Sequence, residues 1–189
     1  MKISKSQRNN ILFFLFILIM IIPQTRTPLQ VLVHKGLAQF APSVIADEKR
    51  EILSDYSWIL ADDSGEQFDF ESAKGRVVVL NFWATWCPPC VAEMPSIAQL
   101  YASYKDEVLF LLVTDEKDEI IARFKERHGY TFPVFRPLTA LPKGLEARSI
   151  PKTYVIGKDG SIAINKTGAA DWDSDKVQKT LQSLLGQNQ

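Results

Sequence analysis

The chain contains two cysteines, Cys87 and Cys90, and two prolines separate them in the segment Trp-Cys-Pro-Pro-Cys. All the thiol chemistry of the chain must therefore take place at this one position. The spacing corresponds to one helical turn, at which the two sulfur atoms come within bonding distance. A disulfide that closes so short a loop restrains the unfolded chain little. We therefore interpret the pair as redox-active rather than structural.

The prolines assign different roles to the two sulfur atoms. Pro88 and Pro89 suit the first turn of a helix, where backbone N–H groups have no intrahelical partner. Cys87 would then lie at the helix N-terminus, where the helix dipole and the free N–H groups favour a thiolate. Cys90 lies one turn further along and is expected to be more buried. We predict that Cys87 attacks a disulfide of a partner protein and that Cys90 resolves the mixed disulfide.

A carboxylate follows the cysteines on the same predicted helix. Glu93 is three residues after Cys90, so the two side chains are neighbours on one helix face. Ile97 and Tyr101 continue that face, and partial burial there would raise the pKa of Glu93 toward the range useful for acid–base chemistry. We predict such a role for Glu93. The alternative is a first-turn glutamate that faces solvent and is stabilised by the helix dipole.

The elements that position this site alternate between strands and helices. The run over 77–82 is apolar on both faces, as expected for a central strand that helices cover on both sides. Residues 55–70 are predicted to form a hairpin that turns at residues 62–65. Further strands are predicted over 108–113, 153–156 and 161–166, a short strand or extended loop over 132–135, and helices over 117–128 and 173–185. This order predicts an α/β fold with parallel pairing.

The segment over 81–95, Asn-Phe-Trp-Ala-Thr-Trp-Cys-Pro-Pro-Cys-Val-Ala-Glu-Met-Pro, resembles the active-site segment of the membrane-anchored TlpA- and ResA-like thiol–disulfide oxidoreductases. The resemblance covers about residues 52–185 and includes Ile-Pro-Lys-Thr at 150–153. It implies a thioredoxin-like fold, with a central mixed sheet flanked by helices and an added N-terminal β-hairpin. The ResA-like proteins carry a glutamate, implicated in redox chemistry, at the position of Glu93. The family also implies a kink at Pro95.

The resemblance also implies a substrate-binding surface. Thioredoxin-like folds place a cis-proline loop against the two cysteines, which here would be Ile150-Pro151. Ile150 would then offer backbone groups to an extended substrate segment. Beside Cys87, we expect Trp86 and Pro88 to contribute to the same surface.

Asn81 departs from the thioredoxin pattern. Thioredoxins often carry a buried aspartate at this position, proposed to move protons for the second cysteine. Asparagine cannot titrate, so another group must handle the proton, and Glu93 is the candidate. Considered alone, Asn81 is equally well interpreted as a strand-end amide that is hydrogen-bonded to the backbone. Trp83 is interpreted as a core residue.

Residues 1–46 are predicted to form a signal anchor and linker, and residues 47–189 the thioredoxin-like domain. Basic residues precede an apolar run of twelve residues over 11–22, the order found in an export signal. Such a run reaches only about 18 Å as a helix, short of a hydrocarbon core of about 30 Å, but no small-x-small cleavage site follows it directly. We expect an uncleaved anchor and a domain on the extracytoplasmic, periplasmic side. The alternative is secretion after signal cleavage.

The linker over 23–46 is interpreted as a tether. Its middle, 31–40, is partly amphipathic and could lie along a membrane surface.

The predicted activity is thiol–disulfide exchange with disulfide-containing or dithiol proteins. We expect reduction of the partner disulfide, sustained by a membrane thiol electron donor, although the motif leaves the direction of electron flow open. Apocytochrome c, in cytochrome c biogenesis, is the substrate that the resemblance suggests. With 22 basic and 22 acidic residues the chain offers no electrostatic case for nucleic acid binding.

Two alternatives of a different class use the same scaffold. One is a copper carrier, although copper-delivery proteins of this fold space their cysteines one residue further apart and add a distant histidine. The other is a non-enzymatic adaptor, which the presence of both cysteines disfavours. We expect no cofactor and no metal, since four tetrahedral zinc ligands are not at hand in one chain.

Overall fold

The computed structural model describes residues 5–21, 30–31, 36 and 39–186. Its helices are α1 (Lys5–Ile21), α2 (Pro88–Tyr104), α3 (Asp118–His128) and α4 (Asp175–Gly186), with 3₁₀ turns at Asp47–Lys49 and Phe70–Ala73. Its strands are β1 (Ile59–Asp62), β2 (Gln67–Asp69), β3 (Val78–Phe82), β4 (Leu109–Val113), β5 (Val134–Pro137), β6 (Lys152–Ile156) and β7 (Ile162–Thr167).

The N-terminal predictions fall partly outside the described residues. The described part of the apolar run over 11–22 lies in α1, and much of the predicted linker over 23–46 is outside the description. Within the described residues, no helix combines the length and the apolarity that crossing a membrane requires.

A mixed sheet of seven strands carries the site. Its strand order is β2-β1-β5-β4-β3-β6-β7. Strand β3 pairs in parallel with β4 and antiparallel with β6. The predicted N-terminal hairpin is formed by β1 and β2, and β1 also joins the main sheet through β5. The predicted α/β fold with a central mixed sheet is therefore confirmed.

Strand β3 is buried along its whole length, as its apolar run predicts. Its residues alternate between two apolar clusters on the sheet. Val79 belongs to the cluster that includes buried residues of α2 and α4. Val78, Leu80 and Phe82 belong to the cluster that includes Trp58, Leu60 and Phe70. Because Asn81 shares a face with Val79, β3 directs this polar side chain toward α2.

The helix ends and loops agree with the sequence predictions at some positions and differ from them at others. Helix α3 ends at Gly129, whose left-handed φ of 69° forms the C-cap. The ambiguous segment over 132–135 contains the start of a strand, β5, which begins at Val134. The segment over 138–148 forms turns and no helical turn.

Candidate redox site

Cys87 and Cys90 are joined by a disulfide at the start of α2, with their Cα atoms 5.2 Å apart. Cys87 is the N-cap residue of the helix, and its Sγ accepts a hydrogen bond of 3.3 Å from the backbone N–H of Cys90. Pro88 and Pro89 occupy the first two helical positions. Because proline has no N–H, these residues start the helix without leaving a donor unpaired.

The two sulfur-bearing residues differ in their access to solvent. Cys90 is 0% exposed and Cys87 is 4% exposed, whereas the adjacent Trp86 is 69% exposed. A partner protein that approaches along Trp86 therefore reaches Cys87 before it can reach Cys90. This asymmetry fits an attacking Cys87 and a resolving Cys90.

The Ile150–Pro151 peptide bond is cis. Strand β6 starts at the next residue, Lys152, which is paired with Phe82 at the end of β3. This register brings the cis-proline loop to the end of β3, from which the chain turns into α2. Ile150 and Trp86 line the same cleft of about 300 Å³, together with Trp58, Phe82, Trp83 and Leu141.

Glu93 is a fully buried carboxylate, 0% exposed. Its Oε1 accepts a hydrogen bond of 2.9 Å from the Asn81 side-chain amide. Its Oε2 accepts one of 2.9 Å from the Trp172 indole N–H and one of 3.2 Å from the backbone N–H of Ala170. Burial raises the pKa of Glu93 to about 7, and these three donors oppose that effect only in part. Glu93 thus faces the protein interior, as the acid–base prediction requires.

Asn81 is linked to Glu93 rather than to the backbone. Its amide nitrogen donates to Glu93 and also, over 2.7 Å, to the Thr153 hydroxyl. The interpretation of Asn81 as a strand-end amide bonded to backbone is therefore wrong. Its amide donates a hydrogen bond to Glu93, the carboxylate that we predict to transfer protons.

A second carboxylate, Glu116, supports the turn that leads to Cys87. It lies in the connection between β4 and α3. Its Oε2 accepts a hydrogen bond of 2.5 Å from the backbone N–H of Thr85, and its Oε1 accepts one of 2.6 Å from the Thr85 hydroxyl. Thr85 is two residues before Cys87. The two oxygens of the Glu116 carboxylate therefore hold the backbone turn that leads to Cys87.

We expect Glu116→Ala and Thr85→Val each to lower the free energy of unfolding of the oxidised protein by about 1–3 kcal/mol. Glu116→Ala removes both hydrogen bonds, and Thr85→Val removes the one from the hydroxyl. The double variant should lose less than the sum of the single losses, with a coupling of about 1 kcal/mol. Urea denaturation of the four proteins measures both quantities. Strictly additive losses would show that the contact between Glu116 and the Thr85 hydroxyl contributes nothing to stability.

Comparison with known protein families shows which family contains this chain. A family model described as redoxin matches residues 39–184. The chain belongs to the redoxin family. The match spans the hairpin, the cysteine pair, the cis-proline loop and most of α4.

Individual relatives of this redoxin carry related names. The thiol-disulfide oxidoreductase ResA of Halalkalibacterium halodurans is 33% identical over 120 residues, which are 59% of this chain and 65% of that protein. The thioredoxin-like protein YneN of Bacillus subtilis is 33% identical over 103 residues, 52% of this chain and 61% of that protein. The matched region therefore spans less than two thirds of the length of either relative.

A solved structure supports the fold. A DsbF homologue from Corynebacterium diphtheriae superposes with a TM-score of 0.59 over 74% of this chain and 92% of that chain, at 23% identity. At this identity the likeness concerns the fold alone.

Of the predicted substrate-binding residues, Trp86 and Ile150 line one cleft, whereas Pro88 lines a separate groove. Trp86, Pro88 and Ile150 are on the surface around Cys87, but Pro151 is buried. Sequence reasoning missed four residues, Glu116, Thr153, Ala170 and Trp172. One feature of the sequence indicated the hydrogen bonds around Glu93. It is the polar Asn81 on an otherwise apolar face of β3.

Proposed function

We propose that this protein exchanges thiols and disulfides with other proteins and that it acts as a reductase of protein disulfides. The observation that carries the proposal is the disulfide between Cys87 and the fully buried Cys90 at the N-terminus of α2, close to a cis-proline loop. The names of the relatives, a thiol-disulfide oxidoreductase and a thioredoxin-like protein, support it.

The first step starts from the dithiol form. The Cys87 thiolate, favoured by the helix N-terminus, attacks one sulfur of the partner disulfide. An S–S bond forms between Cys87 and that sulfur while the partner S–S bond breaks. The second partner sulfur leaves as a thiolate and takes a proton from solvent. Trp86 and Ile150 border the cleft beside Cys87 and would hold the partner segment during this step.

The second step releases the partner. The Cys90 thiol loses its proton and attacks the Sγ of Cys87. The bond between Cys87 and the partner then breaks, and the remaining partner sulfur leaves as a thiolate that takes a proton from solvent. The partner has then gained two electrons and two protons, and the Cys87–Cys90 disulfide has formed. Glu93 lies one helical turn beyond Cys90. With a pKa of about 7 it is suited to accept the proton of the Cys90 thiol near neutral pH.

A membrane thiol donor would reset the dithiol, with the domain on the extracytoplasmic side and tethered by the N-terminal segment. Basic residues followed by the apolar run over 11–22 support export. A dithiol outside the cytosol tends to be oxidised, so a reductase there depends on such a donor. Apocytochrome c, whose haem-attachment cysteines must be reduced, is the substrate that fits the resemblance to the ResA-like proteins.

The reduction potential of the full-length protein tests the direction of the proposed exchange. Equilibration with thiol–disulfide buffers, read by the fraction of free thiol, should give about −250 mV or lower, the thioredoxin range. A value near −120 mV, typical of strong oxidants, would overturn the reductase assignment. The absence of any two-electron couple would overturn thiol–disulfide exchange itself.

A further inference from the structure

A second groove lies next to the redox site, on the side of α3. Thr85 and Pro88, which flank Cys87 in the chain, line this groove together with Val91 of α2. Its volume is about 510 Å³, and it shares no lining residue with the cleft at Trp86 and Ile150. A protein segment in this groove would therefore lie beside the disulfide without occupying that cleft.

Helix α3 contributes one stripe of residues to the groove. Ile120, Phe124 and Arg127 line it at the spacing of one helix face, and Arg123 lies between them on the same face. Ile120 is an isoleucine with 41% of its surface exposed. An exposed apolar side chain bordered by arginines is a combination that protein interfaces favour.

The charge of the groove has one sign. Its titratable lining residues are Arg123, Arg127 and His128, and no carboxylate lines it among the described residues. Lys125 of the same helix lies outside the groove and is paired with Asp63.

The two arginines remain available. Within residues 5–21, 30–31, 36 and 39–186, neither forms an ion pair. Arg123 uses its Nε–H to donate to the backbone oxygen of Glu119 at 3.2 Å, and no described residue accepts a hydrogen bond from its terminal N–H groups. Guanidinium groups bind carboxylates through two parallel hydrogen bonds.

We propose that this arginine groove docks an acidic segment of the protein that exchanges disulfides with Cys87. The inference rests on the proposed function. Carboxylates of the partner would pair with Arg123 and Arg127, and an apolar side chain would cover Ile120. Charge complementarity of this kind mainly accelerates encounter and fixes orientation. It would favour partner disulfides with acidic flanking residues.

Two synthetic peptides provide the test. Each contains the same disulfide loop, followed by four glutamates in one peptide and four lysines in the other. The second-order rate constant for their reduction by the reduced full-length protein is measured at low and high salt. The acidic peptide should react about tenfold faster at low salt, and the preference should largely disappear at 1 M salt, where the Debye length is about 3 Å.

Matched variants assign the preference to the groove. Arg123→Glu combined with Arg127→Glu should abolish or invert the preference. Lys176→Glu combined with Lys179→Glu makes the same change in net charge on exposed positions of α4 and should retain it. Equal rates for the two peptides, or equal effects of the two double variants, would overturn the docking proposal.

Two further measurements separate the remaining outcomes. Val31 of this chain also lines the groove; if the unaltered protein shows no preference and Val31→Ser creates a preference for the acidic peptide, the groove is covered by the chain itself and the proposal fails. Exchange with 2-hydroxyethyl disulfide, which is small and neutral, should be the same in all variants. If the unaltered protein does not exchange with this compound, the proposed function is wrong. If it does exchange but reduces the acidic and the basic peptide at equal rates, only the docking proposal is wrong.

Discussion

Replacing Cys90 with serine is expected to stop turnover and to leave the protein covalently attached to its partner through Cys87. Serine cannot attack the mixed disulfide, so resolution would depend on an external thiol. An intramolecular thiol acts at a very high effective concentration, and we therefore expect turnover to fall by at least about a thousandfold. The adduct is measured by mass spectrometry and non-reducing electrophoresis after incubation with a disulfide-containing protein.

Cys87→Ser is the matched control for this experiment. It also removes one sulfur from the same disulfide, but the sulfur that remains, on Cys90, is 0% exposed. It should therefore form little or no adduct. If Cys87→Ser trapped partners as efficiently as Cys90→Ser, the assignment of the attacking and resolving roles would be wrong.

Replacing Glu93 with glutamine is expected to flatten the dependence of stability on pH. Burial raises the pKa of Glu93 from 4.5 to about 7 in the folded protein, so the folded state binds this proton more tightly than the unfolded state. The resulting stabilisation is complete below about pH 4.5 and is lost as pH rises through about 7. The free energy of unfolding attributable to this group should fall by about 3 kcal/mol across that window. Urea denaturation of the oxidised protein from pH 4 to pH 8 measures it.

Glutamine can be accommodated at this position by rotation of the Asn81 amide. The Asn81 Oδ1 is buried and has no hydrogen-bond partner in the described part of the chain, so rotation would offer it to the glutamine N–H₂. Glu126→Gln, at an exposed position of α3, serves as the control and should leave the pH profile unchanged. Parallel profiles for the unaltered protein and Glu93→Gln would contradict the elevated pKa.

The local parts of the site could be predicted from the sequence because their signals are local. The apolar run before the cysteines predicts a buried strand, and Pro88 with Pro89 predicts a helix start at Cys87. Both features depend on residues a few positions apart, where strand and helix periodicity determine which side chains meet. The hairpin and the α/β order follow from similar patterns.

The contacts around Glu93 and Thr85 could not be predicted because they are distant in sequence. Trp172 is 79 positions from Glu93, and Glu116 is 31 positions from Thr85. Nothing in the spacing of these residues shows that the fold brings them together, since one lies after β7 and the other after β4. For the same reason the sequence left two interpretations of Asn81 open, because its partners Glu93 and Thr153 belong to other elements.

The contact between Trp172 and Glu93 also gives the molecule an internal optical reporter. The indole N–H is 2.9 Å from the carboxylate oxygen, and the light absorption and emission of an indole ring change when a charge appears beside it. The emission of the protein, to which Trp58, Trp83 and Trp86 also contribute, should therefore contain a component from Trp172 that follows the arrival and departure of the proton on Glu93 without an added dye. Rapid mixing of the reduced protein with a disulfide would then show on the millisecond scale whether the proton moves with the sulfur exchange or after it.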